Sequence, residues 1–143
     1  MVGLLAVAVI RAASPLDSEA IAALMRPEWH DARRRAIDAG GCAVAEADGR
    51  IAGYVALDYT FYANGFVSLL FVREEARRRG IGEALMRHAM ASCRTPKLFT
   101  STNLSNVPMQ RLLAKLGFER SGVINNLDPG DPELVYLRRS PAE

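Results

Sequence analysis

The residues with the clearest chemical potential are Arg77-Arg78-Arg79-Gly80-Ile81-Gly82, a basic turn broken by glycine. An apolar run over residues 69–72 precedes it and reads as a buried strand. A helical pattern follows, with Ile81, Ala84, Leu85, His88 and Ala89 recurring at spacings of three and four. Strand, glycine-rich turn and helix start together make an anion site. The first amides of a helix have no intrahelical acceptor, and the helix dipole adds positive potential there. Glycine lets the backbone approach a ligand with no Cβ in the way. The three arginines add charge, some of them facing solvent.

Two common phosphate loops do not fit. The chain contains no GxxxxGK[ST]. Gly80 and Gly82 give GxG, but the third glycine position of a dinucleotide fingerprint holds Leu85. Residues 100–103 also lack the acid that such a fold places about twenty residues on. Val72, then Arg77-x-x-Gly80-x-Gly82, then an amphipathic helix, instead resembles the acetyl-coenzyme-A loop of the GNAT superfamily of N-acetyltransferases. Asn106-Val107-Pro108-Met109-Gln110-Arg111-Leu112-Leu113-Ala114-Lys115-Leu116-Gly117-Phe118 resembles that superfamily's second motif, an asparagine-led helix ending in KLGF. The two motifs are ordered and spaced as the family has them, and the resemblance covers nearly the whole chain.

The resemblance implies an α/β GNAT fold. Its central sheet is mixed and mostly antiparallel, with about six to seven strands, about four helices and a splayed pair of parallel strands. It implies one acyl-CoA N-acyltransferase domain over residues 1–143, acetyl-CoA as the cofactor, and an amine acceptor that is a small molecule or a peptide. Backbone groups near Leu70 and Val72 would pair with the pantetheine arm. Amides of Arg78, Arg79, Gly80, Ile81 and Gly82, with Glu83 and Ala84, would cradle the pyrophosphate behind Arg77, the first residue of the motif. Asn106 matches the asparagine whose side chain contacts the cofactor arm. By itself Asn106 also reads as the N-cap of its helix, and the two roles are compatible. Dimers are common in the family, so a homodimer is open, with no surface identified.

The reaction so implied is direct attack of a neutral amine on a thioester. It needs a positioned cofactor, an oxyanion donor such as a strand N–H near Val72, and a route for the ammonium proton through a base or water chain. Here the chain departs from the family pattern. The tyrosine acid would stand before AKLGF, and this chain has Leu113, which cannot donate a proton. Thiolate departure without that acid is chemically feasible, so Leu113 bears on mechanism and not on cofactor binding. It also leaves open a non-catalytic acyl-CoA-binding sensor or regulatory protein. The run 66–72 carries no carboxylate, so a base must come from elsewhere. Asp58 sits in an apolar strand in phase with Tyr54, Ala56, Thr60 and Tyr62, on a face read as polar or solvated. Asp128, Asp131 and Glu133 crowd the last hairpin, either as an acidic rim that attracts a cationic amine or as plain turn residues. Tyr136 is a further hydroxyl candidate.

Composition narrows the class. At 143 residues, half of them apolar, the chain is one domain by size with a real core. Net charge is only +2, and no aromatic and basic stripe marks a nucleic-acid surface. Residues 73–97 nonetheless hold seven basic side chains against three acidic, around the anion turn. The apolar start, MVGLLAVAVI, has no basic n-region and is too short to span a bilayer, so it reads as a first strand and no membrane is expected. Cys42 and Cys93 have no metal-ligand spacing, read as packing residues, and suit a reduced cytoplasmic setting. His88 lies on the apolar helix stripe with no ligand partner in sequence, so no metal is expected.

The elements that must position these residues follow in order. A strand is expected over 4–12 and a helix over 16–25, closed by Pro27. A second helix spans 29–39; the resemblance allows Trp29 and His30 to line the acceptor side, and the plainer reading is that Trp29 packs and His30 is a surface residue. Strands at 42–46 and 51–62 flank an Asp48-Gly49 hairpin turn. Asn64-Gly65 reads as the next tight turn, before the strand 66–72. The central helix covers 80–92, and a strand over 97–101 returns parallel to 66–72 by a right-handed crossover. The last helix spans 106–116 and stops at Gly117. Residues 119–125 and 134–138 close the chain as a hairpin.

Overall fold

The computed structural model describes residues 8–140. Its strands are β1 Val9–Ala12, β2 Cys42–Ala47, β3 Arg50–Phe61, β4 Asn64–Val72, β5 Lys97–Asn103, β6 Glu119–Ile124 and β7 Glu133–Arg139. Its helices are α1 Ser18–Ala22, α2 His30–Asp38, α3 Ile81–Ser92 and α4 Val107–Lys115. The strands form one sheet in the order β1-β2-β3-β4-β5-β7-β6. Pairing is antiparallel for β1/β2, β2/β3, β5/β7 and β6/β7, and parallel for β4/β5. This is the mixed, mostly antiparallel α/β architecture expected. The parallel ladder joins Gly65 to Leu98, Phe66 to Phe99 and Val67 to Thr100, whereas β4 continues to Val72 and β5 to Asn103. Residues 4–7 of the expected first strand lie outside the described residues. Among the described residues, no helix is long and apolar enough to cross a membrane.

The chain forms two compact units. One comprises residues 8–57 with Leu69–Ser92. Strand alternation puts Cys42 and Val44 on one face of β2, where they pack with Ile21 of α1, Ile37 of α2, Tyr54, Ala56, Leu69 and Phe71. The other face is built of small residues, Ala43, Ala45 and Gly53, all buried. That lets α3 come close: a Cβ on Gly53 would stand 3.2 Å from Leu85 Cδ1 and 2.6 Å from Phe71 O. α3 buries Ile81, Leu85, Met86 and Ala89, and His88 beside that stripe is half-buried.

Two expectations for this unit change. The helix foreseen over 16–25 is a 3-10 turn, Pro15–Asp17, leading into the short α1. Its end is tightened by Leu24 N donating to Ile21 O (3.0 Å) and Met25 N to Ala22 O (3.1 Å). Asp17 is the cause at the start: its carboxylate accepts from Ser14 N (2.8 Å), forming a capping box, and takes both terminal nitrogens of Arg11 at 2.8 Å. Arg11 Nε also donates to Glu46 (2.7 Å). The second change concerns Trp29 and His30, whose expected settings are reversed. His30 is half-buried, its Nε2 3.1 Å from Ala22 O and 3.4 Å from Met25 O. The imidazole closes the end of α1, and the indole is left 47% exposed.

The second unit comprises Asp58–Ser68 with residues 93–140. Phe61 stacks on Phe66 (5.1 Å between centroids) and tilts against Phe99 (5.0 Å). α4 is capped by Asn106, whose side chain accepts from Met109 N (3.2 Å). Leu113 and Leu116 are buried beneath it, and the helix stops at Gly117 with φ 87°. The expected Asn64-Gly65 turn is corrected. The tight turn is Tyr62-Ala63, at φ 53° and 62°, and Asn64 and Gly65 already belong to β4. Gly65 is small for packing reasons: a Cβ there would meet Cys93 Sγ at 2.5 Å. Asn64 Nδ2 donates back to Tyr62 O (3.1 Å) and stabilises the turn from outside it.

Candidate active site

In the first unit, β4 ends at Val72 and a 3-10 turn, Glu74–Ala76, leads into the arginine run. Arg78 (φ 65°) and Gly80 (φ 78°) have left-handed backbone and flank Arg79. Such alternation turns successive N–H groups to one side, as in anion-binding nests. The first main-chain bond into α3 is Ala84 N to Gly80 O at 3.0 Å. The amides of Ile81 and Gly82 therefore stand ahead of the helical ladder, at its positive end. A Cβ on Gly80 would meet nothing within 4 Å, so no protein atom crowds the turn there. The acid in the first turn, Glu83, is drawn along the helix by Arg87 (3.0 Å). This donor set fits a phosphorylated cofactor such as acetyl-CoA.

The arginines divide their duties. Arg73 N donates to Ala52 O (2.7 Å) and its Nε to Ile51 O (2.7 Å), pinning the end of β4 to β3. Arg77 Nε donates back to Val72 O (3.1 Å). Arg79 reaches Asp48 in the β2–β3 hairpin at 3.2 Å. Arg78 is exposed. Arg77 and Arg79 thus shape the loop with their side chains and add positive potential from a distance.

In the second unit, all four proposed carboxylates have hydrogen-bond partners. Asp128 Oδ2 accepts from Asn103 Nδ2 (2.9 Å). Asp131 accepts from Ser105 N (3.0 Å) through one oxygen and Ser105 Oγ (2.5 Å) through the other. Glu133 accepts from Ser101 Oγ (2.6 Å). These acids brace the β6–β7 connection against the end of β5 and the turn into α4. Their partners Ser101, Asn103 and Ser105 were not singled out in the sequence; the signal was the polar alternation STNLS facing an acid-rich turn. Asp58 accepts from Thr60 N (3.0 Å) and Thr60 Oγ1 (2.7 Å), a local turn-like bond. Its expected solvated face is split: Tyr54 and Ala56 are buried, while Thr60 and Tyr62 are exposed. Tyr136 is buried in β7, opposite Thr100 and Arg120. Leu113 is fully buried, at 0% exposure. Cys42 packs in the core of the first unit, as expected.

Residues 9–118 match the model of the acetyltransferase (GNAT) family. The chain belongs to that family. It is 30% identical to an N-alpha-acetyltransferase of Sulfurisphaera tokodaii, over 68% of this chain and 67% of that one. It is 29% identical to an uncharacterized N-acetyltransferase of Methanocaldococcus jannaschii, over 68% of this chain and 65% of that one. The chain thus spans about two thirds of the length of these relatives, at 65% and 67%. A crystal structure of a GNAT-family acetyltransferase from Bacillus cereus is similar over 95% of this chain and 99% of its own, with a TM-score of 0.86 and 31% identity.

Proposed function

We propose that the chain is an acetyl-CoA-dependent N-acetyltransferase acting on a primary amine by direct attack in a ternary complex, with residues 1–143 serving as one acyl-CoA N-acyltransferase domain. The observation that carries this reading is the start of α3, where the family's loop motif coincides with helix amides that stand ahead of the ladder. Bound acetyl-CoA would supply an activated acyl thioester. Amides of residues 78–82 would hold its pyrophosphate by charge-dipole attraction. Main-chain groups of Leu70 and Val72 would orient the pantetheine arm, and Asn106 would offer its side-chain amide. Asp58, Asp128 and Glu133 are the carboxylates that would take up the amine proton directly or through water, and the Tyr136 hydroxyl is a candidate donor. The Sulfurisphaera tokodaii relative, named for α-amine acetylation, supports a primary amine on a peptide or small molecule as acceptor.

A second reading is favoured by Leu113. Its side chain is wholly buried where the family places a proton donor, which is compatible with an acyl-CoA-binding regulatory protein. Calorimetric titration with acetyl-CoA and CoA, on wild type and on Gly82→Glu, tests the cofactor site. Binding in wild type that is lost in the variant supports the loop as the phosphate site. Absence of binding to both ligands at about 1 mM, a free energy weaker than about −4 kcal/mol, would remove the enzyme reading. Release of thiol on addition of a panel of amines then separates an acetyltransferase from a regulatory binder.

A further inference from the structure

We propose, resting on the acetyl-CoA reading above, that Asp131 is a positioning residue: it straps the turn between β5 and α4 and thereby aims Asn106 at the cofactor. All the geometry lies within the second unit. Three residues, 104–106, connect Asn103 at the end of β5 to Val107 at the start of α4. Leu104, Ser105 and Asn106 are all exposed, so packing does not hold them. Hydrogen bonds do. Leu104 N donates to Pro132 O (2.9 Å), Asn106 N to Asn103 O (2.9 Å), and Gln110 Nε2 to Leu104 O (2.6 Å). Asn103 Nδ2 donates to Asp128 Oδ2 (2.9 Å) and Asp131 O (3.3 Å). Asp131 clamps the middle of the turn, taking the Ser105 amide on one oxygen and the Ser105 hydroxyl on the other.

The consequence reaches the next residue. Asn106 Oδ1 accepts from Met109 N (3.2 Å), which commits that oxygen to the helix cap and presents Nδ2 as the donor. The direction of Nδ2 then depends on where the turn holds the Asn106 backbone. A carboxylate with both oxygens engaged on Ser105 is poorly placed to act as the base that removes an amine proton. Asp131 therefore acts on the cofactor side of the reaction, through Ser105 and Asn106. The strap requires acceptor geometry and not negative charge. An asparagine at 131 could still accept from Ser105 N through its oxygen and donate to Ser105 Oγ through its amide.

That property makes the test decisive. Acetyl-CoA is titrated calorimetrically into wild type, Asp131→Ala, Asp131→Asn and Ser105→Ala, and amide exchange at Ser105 and Asn106 is followed by NMR without ligand. Asp131→Ala is expected to weaken acetyl-CoA by about tenfold, the scale of one intramolecular hydrogen bond, and to speed exchange at Ser105. Asp131→Asn is expected to stay within about threefold of wild type on both readouts. Ser105→Ala, which keeps the backbone bond, should fall between them, and it decides the matter if Asp131→Ala does not fold. Acetyl-CoA binding to Asp131→Ala that matches wild type would overturn the strap. So would an Asp131→Asn variant as weak as Asp131→Ala, because charge would then be the active property. Failure of wild type itself to bind acetyl-CoA is a separate result, and it removes the cofactor reading before any variant is compared.

Discussion

Arg77 and Arg79 direct their guanidinium groups at Val72 O and Asp48, so the cofactor binding proposed for residues 77–82 would rest on main-chain amides. Side-chain and backbone contributions can be separated with two substitutions. Gly80→Ala places a Cβ at φ 78°, where it meets no protein atom within 4 Å. The strain costs about 1 kcal/mol, so the variant should fold with a melting temperature lower by about 3–8 °C. Its acetyl-CoA affinity should drop by about tenfold or more, because the amides can no longer be approached closely. Arg78→Ala removes one exposed charge that salt already screens, and should lose about threefold or less. Equal losses in the two variants would assign the site to side-chain charge instead. The loop itself was legible because glycine and arginine spacing is local. The bracing of Arg79 was not, since its partner Asp48 lies in a hairpin that only the tertiary fold brings near.

At the scale of elements, two hairpin turns show how far local chemistry reaches. Asp48-Gly49 was read correctly, and both residues have positive φ, 54° and 77°. Asp and Gly tolerate that conformation, which matches the twist of the flanking strands. Tyr62-Ala63 has the same pair of positive values, 53° and 62°, without a residue suited to them. The neighbouring Asn64-Gly65 carried the usual signal and drew the expected turn two residues too far along. The strand ladder won because Gly65 has to pass Cys93 Sγ, and Phe61 and Phe66 stack across the hairpin. The Tyr62-Ala63 turn is therefore held by its strands against its own preference. Replacing it with Asn-Gly should stabilise the protein by about 1 kcal/mol and raise the melting temperature, since Tyr62 is 86% exposed and little packing is lost. A melting temperature that falls would mean the Phe61–Tyr62 edge contact, at 5.1 Å, outweighs the backbone relief.

For the whole molecule, the family motifs and the order of elements were readable, whereas the placement of β7 between β5 and β6 depends on pairings distant in sequence. The same holds for Asp17, the one strongly perturbed carboxyl group among the described residues. No local signal in the sequence marks its pairing with Arg11. Asp17 is 8% exposed, and hydrogen bonds from Arg11 and then Ser14 outweigh desolvation and lower its pKa from 3.8 to about 2. Its bonds join the start of α1 to β1, and through Arg11 to Glu46 of β2. A carboxyl group held below its unfolded pKa stabilises the fold fully above that value and loses the effect as pH falls through the folded one. The window here is from about pH 4 to about pH 2. Discounted for the partly exposed Arg11, the contribution is about 1–2 kcal/mol. Asp17→Asn keeps the side-chain size and removes the titration. At pH 7 it should melt several degrees below wild type, and the gap should close as pH is lowered from about 4 to about 2, because wild type then loses the same ion pair. A gap that stays constant across this window would show that Asp17 contributes through the Ser14 capping bonds, which asparagine can retain in part, and not through its charge on Arg11.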